Sequence, residues 1–164
     1  MTACLILVAP TTSKSLVSPE LWDRLVNRAI RSLDFQQIYG HLDEAAQRDW
    51  SERIIEQALG FLSVLAKTSD GTLSPSVQVD IGWHTFLMYT REYADFCQRI
   101  ADRMIHHAPF DVKGEAPKTG GAKRAIASML VNGIYVDQEL WGHIAECDGG
   151  GGSDSCCSVD GCRS

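Results

Sequence analysis

Residues 74–104, SPSVQVDIGWHTFLMYTREYADFCQRIADRM, read as two helices joined by a break. Ser74, Pro75 and Ser76 open the first. A serine oxygen accepts from the free N–H groups of a helix start, and proline suits its first turn. Val77, Ile81, His84, Leu87 and Met88 then recur at helical spacing, as do Tyr93, Phe96, Cys97, Ile100 and Met104. A break near Thr90 returns the second helix antiparallel to the first. Residues equidistant from the break then sit level, so His84 is expected to face Cys97, and Met88 to lie near Tyr93.

The same pattern extends in both directions. Ser18 caps a helix with Pro19 and Glu20 in its first turn, and Leu21, Trp22, Leu25, Val26, Ala29, Ile30 and Leu33 form its apolar face. From Phe35 to Leu42 the chain reads as a polar connection around Gly40. Asp43 caps the next helix, which carries Trp50, Ile54, Ala58, Phe61, Leu62 and Leu65, and Ser69, Asp70 and Gly71 form a turn. After the hairpin, residues 108–121 hold two prolines and three glycines and are expected to form a loop. Residues 122–132 form a short helix with Ile126, Met129 and Leu130, which Gly133 ends in the left-handed conformation. Asp137 caps a last short helix through Leu140, Trp141 and Ile144. No stretch alternates with period two. The expected fold is all-α: about six helices in an irregular bundle around the central hairpin, residues 18–146. An N-terminal segment, 1–17, precedes it and a flexible Cys/Gly-rich tail, 147–164, follows.

Composition narrows the function. Across 164 residues, 15 Lys+Arg stand against 21 Asp+Glu, for a net charge of −6. No cationic cluster is present to meet phosphates, so nucleic acid is not an expected partner. No apolar run approaches the roughly 20 residues that a bilayer requires. The apolar stretch from Ala3 to Ala9 has no basic residue before it and no convincing cleavage site, so it reads as a segment packing on the core or as the product of an upstream start codon. The expected location is cytoplasmic, where clustered thiols favour metal or redox chemistry over structural disulfides.

Two places could carry chemistry. Asp80 and His84 are i, i+4 on one helix, so the carboxylate can accept one ring N–H of His84 and leave the other nitrogen free. With Cys97 opposite, the Asp80–His84–Cys97 hairpin offers a metal site or reactive thiol built from His84, Cys97 and an unidentified third group, or a Cys–His nucleophile pair. The structural alternative is a buried histidine satisfied by Asp80 beside a buried thiol. On that reading His84→Ala should cost roughly 1–3 kcal/mol by leaving Asp80 unpaired. His106 and His107 are taken to end the second helix, near its negative dipole end. There His107 would lie about 15 Å from Cys97, too far for joint ligation. His41 and His143 read as surface residues.

The second place is the tail, whose Cys147, Cys156, Cys157 and Cys162 lack paired Cys-x-x-Cys spacing. Vicinal Cys156 and Cys157 would sooner pair with different partners than with each other. Three or four flexible thiolates can hold zinc or monovalent copper without a preformed fold. The leading expectation is therefore a non-enzymatic binding or presentation protein whose tail binds metal or undergoes thiol chemistry. A second is the precursor of a ribosomally made, post-translationally modified peptide. There the helical domain would be a folded leader, the tail its modified core, and a modifying enzyme its partner. A third is a small enzyme using His84 and Cys97.

Asp80, Trp83, His84, Tyr93 and Cys97 together resemble the glycine-rich-domain-containing protein-like family, marked by Asp-x-x-Trp-His followed by Tyr and Cys. The likeness covers roughly residues 70–110. Where that family often has a second histidine, two places after the first, this chain has Phe86, and it has Thr90 where a proline tends to stand. The resemblance implies the helical fold, with Trp83 and Tyr93 as structural marks, and no particular activity.

Overall fold

The computed structural model describes residues 12–68, 72–107 and 120–142. Its regular elements there are all helical: a 3-10 turn at Ser13–Leu16, then α1 (Pro19–Ile30), α2 (Leu33–Tyr39), α3 (Glu44–Leu65), α4 (Val77–Leu87), α5 (Thr90–Ala101), α6 (Gly121–Val131) and α7 (Gln138–Trp141). The expected caps are in place. Ser18, Asp43 and Ser76 each accept from the backbone N–H three residues on, and Asp137 accepts from Glu139 N. Gly133 ends the α6 turn at φ 69°.

The 22-residue α3 is the axis of the bundle, spanning about 33 Å at 1.5 Å per residue. Against it lie the 3-10 turn, α1, α4 and α6. Ile54, Ile55, Leu59, Phe61 and Leu62 are almost wholly withdrawn from water. Each such side chain contributes about 1.5–3 kcal/mol through burial, and that burial drives the assembly. Ser51 Oγ donates to Val26 O at 2.9 Å, tying α1 to α3. α4 crosses α3 more closely still. A Cβ at Gly82 would stand 2.7 Å from Ala58 Cβ and 2.9 Å from Ile54 O, so only glycine permits this crossing.

Several expectations need correction. The stretch expected to be a polar connection contains α2, whose Phe35 and Tyr39 are buried while Leu33 is 73% exposed. Ser32 supplies its cap, and two aromatics four residues apart give it a narrow apolar face. In α4 the buried residues are Val79, Ile81, Gly82, Trp83, Thr85 and Phe86, whereas Val77, His84 and Met88 turn outward. This helix is apolar on most of its circumference, so spacing alone does not identify its inner face. Finally, α5 stops at Ala101 because Asp102 adopts the left-handed conformation, φ 52°. Met104, His106 and His107 therefore lie beyond the helix. The 3-10 turn before residue 18 belongs to the packed bundle, with Ser13 buried. Ile144, His143, the apolar stretch from Ala3 to Ala9 and the cysteine-bearing tail lie outside the described residues, as does most of the expected loop.

Candidate metal centre

Gly82 faces α3, and residues two positions either side of it lie about 200° around the helix. Asp80 and His84 are those residues, and the crossing that packs Gly82 turns both outward. Their Nε2–Oδ2 separation is 3.7 Å, an i, i+4 ion-pair distance. This much the sequence anticipates.

The third member comes from the chain beyond α5. After the left-handed turn at Asp102, residues 103–107 form an extended strap that doubles back along the hairpin. The Arg103 guanidinium donates to the carbonyls of Leu65 (3.3 Å), Ala66 (3.4 Å) and Thr68 (2.7 Å), tying the strap to the end of α3. Ile105 is buried, and its carbonyl accepts from the Tyr93 hydroxyl at 2.7 Å. Two residues on, His107 Nε2 lies 2.9 Å from Asp80 Oδ1. Its ring centroid is 4.5 Å from that of His84 and 4.5 Å from that of Trp83, whose ring it meets edge-on.

One ligand-type atom from each of Asp80, His84 and His107 thus lies within 4.8 Å of the others. The cluster is graded in exposure: the side chains are 15% exposed at His107, 29% at Asp80 and 48% at His84. One flank is therefore packed against the bundle and the other opens to solvent. Two imidazole nitrogens and one carboxylate oxygen are a ligand set that divalent zinc accepts.

Cys97 does not join them. It is fully buried on the inner side of α5, against the Tyr93 hydroxyl. The expected facing of His84 and Cys97 is not found, because His84 points outward while Cys97 points into the core. Trp83 Nε1 donates to the Tyr93 hydroxyl at 2.8 Å, and Phe86 meets the Tyr93 ring edge-on at 5.2 Å. Met88, expected near Tyr93, is 64% exposed. Burial pushes the Tyr93 hydroxyl above its ordinary range, which keeps it protonated as the donor to Ile105. His107 is the site residue that sequence reasoning placed wrongly. Its one signal was Asp102, since aspartate tolerates the left-handed conformation better than most residues.

Residues 27–129 match the model of the UCP032817-like family. The chain belongs to that family. No curated protein and no solved structure matches the chain. The matched span of this UCP032817-like protein includes Asp80, His84, His107 and the whole hairpin that presents them. Among the described residues no helix is long and apolar enough to cross a membrane.

Proposed function

We propose that this UCP032817-like protein is a non-enzymatic metal-binding protein whose centre is formed by Asp80, His84 and His107. The observation that carries the reading is the convergence of three ligand atoms from two separate segments within 4.8 Å. Tetrahedral zinc with bonds of about 2.0–2.1 Å needs its donors about 3.3–3.5 Å apart, so the widest separation must close by up to about 1.4 Å while the 2.9 Å His107–Asp80 contact opens by about 0.5 Å. Three protein ligands leave a fourth position for water or an incoming ligand, on the solvent side where His84 stands. Imidazoles ligate in the neutral form, so acid releases the ion.

The soft thiols of Cys147, Cys156, Cys157 and Cys162 form a second candidate locus for zinc, copper or thiol chemistry, as the composition of that segment suggests. Two full-length variants separate the loci: all four of these cysteines changed to Ser, and that thiol-free chain with His84→Ala and His107→Ala added. Equilibrium dialysis against zinc, with metal quantified by mass spectrometry, reads each. We expect one zinc retained without the four thiols and lost without the two imidazoles. Binding that survives loss of both imidazoles would overturn the hairpin site. For the peptide-precursor reading, intact mass of chain from its native host is the test, and an unaltered tail in the presence of a modifying enzyme removes it. The enzyme reading through His84 and Cys97 receives no support from their separate placement.

A further inference from the structure

His107 reaches Asp80 only because residues 103–107 are held against the hairpin, and one buried side chain holds them at the critical point. The Tyr93 hydroxyl donates to Ile105 O at 2.7 Å, two residues before His107. The same oxygen accepts from Trp83 Nε1 at 2.8 Å, and Trp83 presents its ring to His107 with centroids 4.5 Å apart. Phe86 edge-on at 5.2 Å fixes the plane of the tyrosine ring. Tyr93 is 1% exposed and Ile105 2%, so water does not replace either partner when one is removed. Among the described residues the strap has one further hydrogen-bonded anchor, Arg103 on the carbonyls that end α3, but that contact lies four residues from His107. It leaves the position of the ring undetermined.

Resting on the metal-binding reading, we propose that Tyr93 is a positioning residue of the centre. Through Ile105 O and Trp83 it sets where His107 Nε2 stands relative to Asp80 and His84. Groups that orient a ligand without touching the ion typically change metal affinity 10- to 100-fold when removed. A tyrosine that merely filled core volume would change stability and leave affinity alone.

Cobalt(II) is the probe, because its visible spectrum reports both occupancy and coordination geometry. The background is the full-length chain with the four tail cysteines changed to Ser. In it, Tyr93→Phe keeps the ring and removes the hydroxyl, Trp83→Phe removes the indole donor, and Ser51→Ala removes a buried hydrogen bond between α1 and α3 that no site residue shares. We expect cobalt affinity to fall 10- to 100-fold in Tyr93→Phe, with an altered visible band, to fall also in Trp83→Phe, and to be unchanged in Ser51→Ala. Unchanged affinity and spectrum in a folded Tyr93→Phe overturn the positioning role while the metal site stands. An equal loss in Ser51→Ala also overturns it, since general destabilisation would then account for the effect. If Tyr93→Phe does not fold, Trp83→Phe against Ser51→Ala decides by the same criterion. A background chain that takes up no cobalt overturns the metal reading and this proposal with it.

Discussion

Two polar clusters fasten late segments of the chain to its central helices, and they differ in how completely their groups are satisfied. At the α3–α7 junction, Arg53 makes a two-pronged pair with Asp137, at 2.6 and 3.0 Å, reaches Glu139, and lies over the Trp50 ring at 4.1 Å. Beside it, buried Gln57 donates to Tyr135 O and accepts from Asp137 N and Trp141 Nε1. Donors meet acceptors throughout. At the hairpin, Asp80, His84 and His107 lie together with a single close contact among them, 2.9 Å between His107 and Asp80. A saturated network holds a fold together. The hairpin cluster is instead joined by one short contact and opens to water at His84, and it is there that the proposed ion would bind.

The largest expected effect falls on the saturated cluster. Asp137 has a side chain only 6% exposed, and Arg53→Ala leaves its carboxylate with the backbone as its remaining support. Breaking a largely buried pair in this way costs about 3 kcal/mol. Chemical denaturation should show that loss, with zinc affinity unchanged. A variant as stable as the parent would mean that the pair is as dispensable as an exposed one.

Next comes the ligand response of the unsaturated cluster. Zinc at a hundredfold its dissociation constant should stabilise the chain by about 2.7 kcal/mol through mass action. With the tail thiols changed to Ser, His107→Ala should abolish that gain, whereas Arg53→Ala should retain it. Thermal unfolding with and without zinc gives both results. A zinc-induced rise that persists in His107→Ala would place the ion elsewhere.

A third effect belongs to the saturated side and appears only in alkali. Burial pushes the Tyr39 hydroxyl from its ordinary 10 up to about 12, against a pull downward from nearby Arg53. The folded state therefore holds this proton more tightly than the unfolded state does. That contribution is complete below about pH 10 and is lost as pH rises through about 12. Tyr39→Phe should flatten this part of the stability–pH curve and leave the neutral range alone. An identical alkaline limb in the variant would assign the loss to another group.

What the sequence revealed follows the range of the forces involved. Caps at Ser18, Asp43, Ser76 and Asp137 act within three residues, so their side chains announce the helix starts directly. The Asp80–His84 pair is equally local. α2 stayed hidden because seven residues give too little periodicity to distinguish a helix from a polar connection. The inner face of α4 was unreadable because Gly82, which selects it, carries no hydrophobic signal and acts through a crossing with α3. His107 depends on a backbone reversal at Asp102 and on bonds to Tyr93 and to α3, all set by tertiary packing. Sequence spacing extended α5 straight through it. Two of the three residues of the candidate centre were thus visible as an i, i+4 pair, and the third, His107, was visible only in the fold.

The smallest expected effect revises the first estimate for His84. If His84 alone satisfied a buried Asp80, its removal would cost roughly 1–3 kcal/mol. In the structure Asp80 keeps His107 at 2.9 Å, while His84 is 48% exposed and 3.7 Å away. A half-exposed pair at that distance is screened by water, so His84→Ala should cost at most about 0.5 kcal/mol in metal-free protein. In the presence of zinc the deficit should widen, because the variant has lost a ligand and with it much of the gain from mass action. Paired denaturation curves with chelator and with zinc measure the difference between the two costs. A large cost that zinc does not change would make His84 a structural residue of the hairpin, and would move this cluster to the same side of the comparison as Arg53 and Asp137.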